Sequence, residues 1–384
     1  MKLEHSFQLV MNHIINSGYS GYDPYDGSNT NSPLIINYKY TRAFSTYLNK
    51  FSPINFRKLL GIKPSKQNQA LAFIGRAMLF APDEYQHEIA DIANTLVNSS
   101  MKKEYGYHCW DAHGFPIQML SGYHPAGKPD IFGTESIARF FLELHDKDPK
   151  PIYREICESV CNFFINDLAV VNSGKHFFKY EHTTSEDKWC YNVSVTAANY
   201  ILDINNTFSS SFEEEFPKKC ITDVVERQKE NGEWYYSYDL ADDYEKPQID
   251  FHQGYILDVL LNLLKNHNGN ESIKSAYKKG LEYYYEKQFL PTGQGIYRYP
   301  KKWPVNIHNQ AQGIITFARA AREDFGGQYS EFALQIAEWT IDKMQSSRGY
   351  FYYHKYPMFT NKIPYIRWSD AAMAYALGEL MNNK

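Results

Sequence analysis

The hydrophobic and polar positions along the chain alternate between two kinds of helical segment. Six segments carry one charged and one apolar face, which is typical of helices that border solvent; they span residues 3–16, 84–99, 152–166, 211–229, 271–288 and 329–345. Six others are richer in small and apolar residues, as buried helices are; they span residues 67–80, 134–144, 192–204, 252–264, 308–321 and 367–381. The alternation predicts six helical hairpins with the buried helices inside and the amphipathic helices outside.

A short phrase of glycine followed by aromatic residues recurs between the two kinds of segment. It begins at Gly106, Gly174, Gly232, Gly295 and Gly349, at intervals of 68, 58, 63 and 54 residues. Recurrence at such an interval is typical of one supersecondary unit that is stacked several times. Together with the helix pattern it predicts an all-α fold, an (α/α)6 toroid in which six helical hairpins close into a ring. We expect residues 1–384 to form a single domain, with an insertion at residues 28–64.

The starts of the inner helices are regularly spaced as well. Glu135, Val193, His252, His308 and Arg367 each lie near the first turn of an inner helix, at intervals of 58, 59, 56 and 59 residues. In a ring of hairpins all inner helices run in the same direction, so their N-termini meet at one end. The positive ends of six helix dipoles converge there, which favours a site for an anionic ligand.

Composition narrows the classes of function. A formal net charge of -4 gives no electrostatic indication that the protein binds nucleic acid. No run of 18 apolar residues predicts a membrane span, and the N-terminus lacks the pattern of a signal peptide, so we expect a cytoplasmic protein. The five cysteines are too few and too irregular for a disulfide scaffold or a zinc site, and we expect them in the core. We therefore expect neither a metal nor a cofactor.

Two segments fit a known pattern of helical-repeat proteins. Residues 228–234, Gln-Lys-Glu-Asn-Gly-Glu-Trp, match the Gln-x-x-x-Gly-x-Trp pattern of toroids such as terpenoid cyclases, and residues 345–351 nearly match it. The glycine permits a left-handed helix end, the glutamine can bond exposed backbone groups, and the ring packs on the next helix. This resemblance supports the fold and does not indicate a reaction.

More specific blocks lie where the rim of the ring is expected. Residues 21–27, Gly-Tyr-Asp-Pro-Tyr-Asp-Gly, together with residues 250–255, 306–312 and 362–369, resemble in order a family of bacterial α/α-toroid proteins that often occur with capsule and exopolysaccharide biosynthesis genes. The resemblance covers nearly the whole chain. The wider superfamily includes six-hairpin glycosidases, unsaturated uronyl hydrolases, sugar 2-epimerases, some polysaccharide lyases and uronyl epimerases. By analogy it implies a sugar or glycan ligand at the end where the inner helices begin.

The leading catalytic candidates are two histidines at equivalent positions of consecutive inner helices. His252 and His308 follow Asp250 and Asn306 at the same two-residue interval. A helix N-terminus disfavours the protonated imidazole, which suits a neutral base or donor near pH 7. The alternative is that each histidine is a satisfied polar residue of the rim.

Carboxylates and an arginine complete the predicted site. Asp26, Asp111 and Glu135 are acid or base candidates, although Asp26 before a glycine is also ordinary turn chemistry. Arg367 and Trp368 resemble a fork for a carboxylate or phosphate beside a stacking ring, or else an interhelix salt bridge beside a buried tryptophan. The other expected substrate contacts are Trp110, Tyr22, Tyr255, Asn192, Asp250 and Gln312.

These observations predict an enzyme that acts by acid/base chemistry on a saccharide, anionic in character, in the synthesis or modification of a surface polysaccharide. Epimerisation, elimination and hydrolysis all remain open. One alternative is a non-catalytic component of a polysaccharide synthesis complex that binds a glycan or a lipid carrier. The other is an isoprenoid cyclase-like enzyme, which would require a deep, aromatic and nearly uncharged cavity.

Overall fold

The computed structural model describes residues 2–120, 122–323 and 325–382, and these ranges are mostly helical. The α-helices are α1 (Lys2–Asn16), α2 (Pro33–Ile36), α3 (Lys39–Phe51), α4 (Asn68–Met78), α5 (Gln86–Asn98), α6 (Lys102–Tyr105), α7 (Ile131–Lys147), α8 (Pro151–Phe163), α9 (Tyr191–Phe208), α10 (Glu215–Val225), α11 (His252–Asn266), α12 (Glu271–Gln288), α13 (Ile307–Arg322), α14 (Gln328–Met344) and α15 (Ala372–Met381). A 3-10 turn spans Asp26–Ser28, and π-helical turns span Phe164–Leu168 and Ile366–Ala371, the last leading directly into α15.

Small antiparallel sheets lie in the connections from the outer helices to the next inner helices, except in the connection from α1 to α4, which holds α2 and α3. Their strands are β1 (Ile117–Met119), β2 (Gly122–His124), β3 (Ala169–Asn172), β4 (Lys175–Phe178), β5 (Lys188–Cys190), β6 (Ser237–Asp239), β7 (Tyr244–Lys246), β8 (Val305–Asn306), β9 (Tyr352–Lys355) and β10 (Thr360–Pro364). β1 pairs with β2 and β3 with β4, while β5-β6-β7 and β10-β9-β8 form sheets of three strands. The two larger sheets join neighbouring connections, so the loops at this end of the ring support one another.

The inner helices form a closed ring. Each of α4, α7, α9, α11, α13 and α15 contacts the next, and α15 returns to α4. The outer helices pack behind them, with α5 on α4, α8 on α7, α10 on α9, α12 on α11, α14 on α13 and α1 on α15. The predicted (α/α)6 toroid is therefore confirmed, and the first helix of the chain packs beside the last.

Burial separates the two layers as the sequence pattern predicts. Every residue of α9 from Tyr191 to Asn205 is buried, because this inner helix is covered on all sides. The outer helix α8 instead buries residues at intervals of three and four, including Ile156, Cys157, Val160 and Cys161. All five cysteines are buried and free of disulfides. In the described ranges, none of the helices has the length and apolar character needed to cross a membrane.

The glycine–aromatic phrases hold neighbouring hairpins together. Gly232 and Gly349 have φ angles of +96° and +98°, as the left-handed helix end requires. Gln345 Nε2 donates to the backbone oxygens of Gly349 at 3.0 Å and of Ser6 at 3.1 Å, which ties this turn to α1. In the fourth phrase the left-handed residue is Gly293 (φ +84°), two positions before the predicted Gly295. The glycine–aromatic phrase therefore has a structural role, because it holds one hairpin against the next.

Candidate functional site

A cavity opens at the end of the ring where the inner helices begin, and every inner helix or the loop preceding it contributes to its wall. We call it the N-terminal cavity. Its lining consists of Gln69, Phe73, Ala112, His113, Asp130, Phe132, Tyr180, Asn192, Val193, Tyr236, Phe251, His252, Tyr255, His308, Arg367 and Trp368. Six of the predicted site residues meet here: Asn192, His252, Tyr255, His308, Arg367 and Trp368.

His252 is held by a buried carboxylate. Its Nδ1 is hydrogen-bonded to Asp250 Oδ1 at the start of α11, and Gln248 donates to the other oxygen at 2.8 Å. Burial raises the pKa of Asp250, but the charge and hydrogen bond of His252 outweigh burial and hold that pKa below its ordinary value. A carboxylate that accepts the Nδ1 proton leaves Nε2 of the imidazole to accept or give a proton. The side chain of His252 is 20% exposed, so a ligand in the cavity can reach it.

His308 lies deeper and is neutral. Tyr255 Oη lies 2.8 Å from Nε2 of His308. The imidazole ring of His308 stacks on the ring of Trp368, with 4.8 Å between the centroids. Burial, and secondly the positive charge of Arg367, lower the pKa of His308 to about 3. Phe251 separates the two imidazoles, with its centroid 4.2 Å from that of His252 and 4.7 Å from that of His308. The expectation of a neutral imidazole on the rim therefore fits His308.

Asp130 is a cavity residue that the sequence reasoning missed. It caps the N-terminus of α7, because its Oδ1 accepts a hydrogen bond from Gly133 N at 2.8 Å. Its Oδ2 is buried and has no hydrogen-bond partner among the described residues. Burial raises the pKa of Asp130 above its ordinary value. An aspartate immediately before the first apolar residue of an inner helix is an N-cap signal, and α7 begins at Ile131 instead of the predicted position 134.

Arg367 lines the cavity, and its positive charge is already paired with the carboxylate of Asp23. Its Nε and Nη2 both lie 2.8 Å from Asp23 Oδ2, and its Nη1 donates to Gln69 Oε1 at 3.1 Å. Beside it, Trp368 donates through Nε1 to Asn306 at 3.3 Å while its ring faces the cavity. The pair of residues thus combines the two interpretations left open by the sequence: a salt bridge and an aromatic wall.

Asp26 and Tyr22 lie behind the cavity wall. Asp26 is buried against Arg57, whose Nε lies 2.8 Å from Oδ1. Burial raises the pKa of Asp26 to about 6 even though Arg57 opposes that shift. The ring of Tyr22 lies 5.2 Å from the same guanidinium. Asp26 and Tyr22 hold the segment that follows α1 in place, and neither of these two residues lines the cavity.

Asp111 and Trp110 have structural partners too. Both oxygens of Asp111 accept backbone hydrogen bonds, from His113 and Gly114 at 3.0 Å and from Gly127 at 2.7 Å. Burial alone would raise the pKa of Asp111, but these bonds and His113 lower it to about 2. Trp110 is fully buried and donates to Leu96 O at 2.8 Å. Asp111 therefore shapes the loop that carries His113 into the cavity wall.

One group of side chains has the composition of a metal site. Ligand atoms of Asp111, His113 and His124 lie within 4.8 Å of one another. Asp111 Oδ1 already accepts from His113 Nδ1 at 3.1 Å, and His124 Nδ1 lies 2.7 Å from Glu181. Hydrogen bonding within the protein accounts for this group.

A second cavity, of about 530 Å³, occupies the opposite end of the ring. Its charged side chains pair with one another: Arg76 with Glu143, Arg319 with Asp258 and Glu379, and Arg322 with Glu379. Glu135 lies here, with its Oε1 2.7 Å from Arg139 Nε, and Gln312 donates to Asp258 at 3.1 Å. Two of the predicted site residues thus belong to an ion-pair network between inner helices instead of the N-terminal cavity.

The fold matches solved structures of carbohydrate-active proteins. No protein-family model matches the sequence, and no curated protein matches it either. The GH76 α-mannanase of Bacteroides thetaiotaomicron matches with a TM-score of 0.68 at 11% identity, over 83% of this chain and 87% of that chain. Cellobiose 2-epimerase of Bacillus thermoamylovorans matches with a TM-score of 0.62 at 11% identity, over 83% and 88%. An unsaturated glucuronyl hydrolase specific for heparin matches with a TM-score of 0.62 at 9% identity, over 100% and 96%. At these identities the likeness concerns the fold, which is that of six-hairpin toroids.

Proposed function

We propose that the protein is a saccharide-active enzyme that transfers protons in the N-terminal cavity. The observation that carries the proposal is the His252–Asp250 pair, an imidazole positioned by a buried carboxylate at the wall of a cavity that holds a second acid, Asp130. Positioned imidazoles and carboxyl groups are the usual agents of general acid/base catalysis. A saccharide is the proposed substrate because structures of this fold include a mannanase and a sugar epimerase, which is support by analogy.

The His252–Asp250 pair and Asp130 could together transfer a proton at a carbon atom of the sugar. In this scheme His252 Nε2 removes the proton from a sugar carbon next to a carbonyl or carboxyl group, and Asp250 stabilises the resulting imidazolium. Asp130 has a raised pKa and supplies a proton, either back to that carbon or to a departing oxygen. The first outcome is epimerisation and the second is elimination. His308 and Tyr255 stay neutral and orient hydroxyl groups, while Trp368 offers a stacking face.

Hydrolysis by two carboxyl groups has less support. Asp130 is the one carboxylate among the described residues that line the cavity, and glycosidases usually place two across the bond that breaks. An isoprenoid cyclase has less support still, because the cavity wall contains three histidines, an aspartate and an arginine. A uronate or another anionic sugar remains the proposed class, since the inner-helix N-termini converge here. We propose the synthesis or modification of a surface polysaccharide as the setting, which the resemblance of the rim blocks supports, and the cytoplasm as the location.

The test compares His252 with a matched histidine at the far end of the ring. His267 Nε2 lies 2.6 Å from Asp203 Oδ1, so His267→Gln removes a similar pair outside the cavity. The wild type, His252→Ala, Asp250→Asn and His267→Gln are incubated with neutral disaccharides and uronate-containing oligosaccharides in D2O. Nuclear magnetic resonance then distinguishes deuterium at a sugar carbon, a new double bond and a new reducing end.

We expect His252→Ala to lower the rate by roughly 100-fold or more, because general acid/base groups contribute about that much. His267→Gln is expected to retain activity. Full activity of His252→Ala would overturn the assignment. Saturable binding by the wild type with every sugar unchanged would instead support a non-catalytic glycan-binding component.

A further inference from the structure

Helix α3 in the insertion exposes its apolar face. Tyr40, Phe44 and Phe51 are 76%, 67% and 46% exposed. With the half-buried Tyr47 they recur at positions i, i+4, i+7 and i+11, which places them along one stripe of the helix. The residues that α3 buries are small or polar, namely Ala43, Ser45, Thr46 and Asn49. A helix on the surface of a globular protein normally has the opposite orientation.

Close packing fixes this orientation. Ser45 Oγ donates to Gly27 O at 2.6 Å, and Tyr365 Oη donates to Asn49 O at 2.9 Å. A Cβ atom at Gly27 would lie 2.3 Å from the Thr46 backbone, so the two backbones are in contact. A tyrosine or phenylalanine has no room on that side. The apolar stripe is therefore a stable feature of the folded protein.

Neighbouring segments extend the exposed apolar surface. Arg42 of α3 donates to Gln118 of β1 at 3.1 Å, and Asn361 of β10 donates to Ser52 O at 3.2 Å, which brings both hairpins beside α3. Besides those of α3, the large exposed side chains of these parts are Leu34, Ile36, Tyr38, Ile54 and Leu59 of the insertion, Leu120 and Tyr123 of the β1–β2 hairpin, and Met358 and Phe359 of the β9–β10 hairpin. We call residues 28–64 and these two hairpins the basic rim, for the reason that follows.

The basic rim contains no acidic residue. The chain has 44 aspartates and glutamates, yet none lies in residues 27–82, 112–129 or 343–369. The insertion alone carries Lys39, Arg42, Lys50, Lys58 and Lys63, besides Arg57, which is buried against Asp26. Lys39, Lys58 and Lys63 are exposed. A protein with a net charge of -4 thus presents a positive surface around an apolar stripe.

We propose that the basic rim docks the protein on a bilayer that contains anionic phospholipid, with the stripe of α3 at the boundary between headgroups and acyl chains. Aromatic and aliphatic side chains flanked by lysines are characteristic of helices that lie in this interface. A second copy of the chain is a poorer occupant, because a symmetric contact would oppose two positive surfaces with no carboxylate to pair them.

Docking would bring the N-terminal cavity close to the membrane. Lys50 of α3 donates to Tyr25 Oη at 2.8 Å, and the ring of Tyr25 lies 5.8 Å from that of Trp368 in the cavity wall. A saccharide attached to a lipid carrier could therefore reach the cavity without leaving the bilayer surface. The docking itself rests on α3 and its charges and is independent of the proposed reaction.

The experiment is co-sedimentation with vesicles of phosphatidylcholine alone and of phosphatidylcholine mixed with phosphatidylglycerol. The test variants are Phe44→Ser, Tyr40→Ser and Lys39→Glu. The controls are Leu334→Ser, which changes a 43% exposed leucine of α14, and Lys274→Glu, which changes a lysine of α12 whose side chain is 45% exposed. Circular dichroism checks that each variant is folded.

We expect the wild type to bind the anionic vesicles and to be released by salt. Lys39→Glu and Phe44→Ser should each weaken binding on the order of tenfold, through lost attraction and lost apolar burial respectively. The controls should bind like the wild type. The proposal is overturned if the wild type binds neither vesicle, if the α3 variants bind unchanged, or if the wild type is a dimer that Phe44→Ser converts to a monomer.

Discussion

Alanine substitutions at the glycine–aromatic phrases should separate backbone strain from collision. Gly106 and Gly174 have φ angles of +79° and +73°, and an added Cβ would meet nothing within 4 Å. Gly232 and Gly349 have similar positive φ angles, but an added Cβ would lie 2.3 Å from Lys279 O and 2.2 Å from Leu9 O. The first pair therefore isolates the cost of a left-handed alanine, and the second adds a clash with a neighbouring outer helix.

The two contributions have different sizes. A left-handed conformation destabilises alanine by about 1–2 kcal/mol relative to glycine. The clash at Gly232 or Gly349 involves a backbone oxygen, so no side-chain rotation relieves it, and the helix must shift at a further cost of about 1–3 kcal/mol. We expect Gly106→Ala and Gly174→Ala to lower the free energy of unfolding by about 1–2 kcal/mol, and Gly232→Ala and Gly349→Ala to lower it by about 2–5 kcal/mol.

Urea unfolding followed by circular dichroism measures the difference, provided that the m-value is the same in all four variants. Equal destabilisation by all four would refute the reasoning, since it would mean that the close approach to Leu9 and Lys279 contributes nothing. A larger loss at Gly106 than at Gly349 would contradict the assigned packing outright.

Two further predictions concern buried carboxyl groups. Burial raises the pKa of Asp370 to about 8, so the contribution of its protonated form to stability is present below about pH 4 and is lost as the pH rises toward 8. The variant Asp370→Asn can still accept the hydrogen bond from Phe351 N and carries no charge at any pH. Thermal unfolding at several pH values should therefore show that Asp370→Asn becomes more stable than the wild type by a few kcal/mol across that window. Asp130→Asn should retain the cap on α7, because Asn caps about as well as Asp, and should lose turnover; a variant with unchanged thermal stability and full activity would limit Asp130 to capping.

The fold follows from the sequence because each helix carries its own periodic pattern. The segment predicted at 271–288 coincides with α12, Glu271–Gln288, where an asparagine cap and an apolar face give clear limits. Where the cap was overlooked, at Asp130, the predicted start of α7 came three residues late. Glu135 therefore lies a full turn inside the helix, facing the ion pairs of the second cavity instead of the N-terminal cavity.

The candidate site was predictable only where the repeat itself supplied the geometry. His252 and His308 hold equivalent positions on consecutive inner helices, so their convergence could be anticipated from spacing. The partners of Asp26 and Arg367 could not, because Arg57 and Asp23 lie 31 and 344 positions away in the chain. Whether a carboxylate is free or neutralised depends on such distant partners, and no local pattern reports them.

Because α1 packs against α15, the ring cannot close until the last of these helices has been synthesised. Ser6 Oγ donates to Gln345 Oε1 at 2.7 Å across 339 positions, and α1 packs on α15. A nascent chain releases α1 with Phe7, Val10, Met11 and Ile14 unprotected long before the ribosome delivers the helices that cover them. The early hairpins can fold locally, but the contact of α1 with α15 forms only after residues 372–381 have emerged. Until then α1 is an apolar segment that a chaperone or another nascent chain can capture.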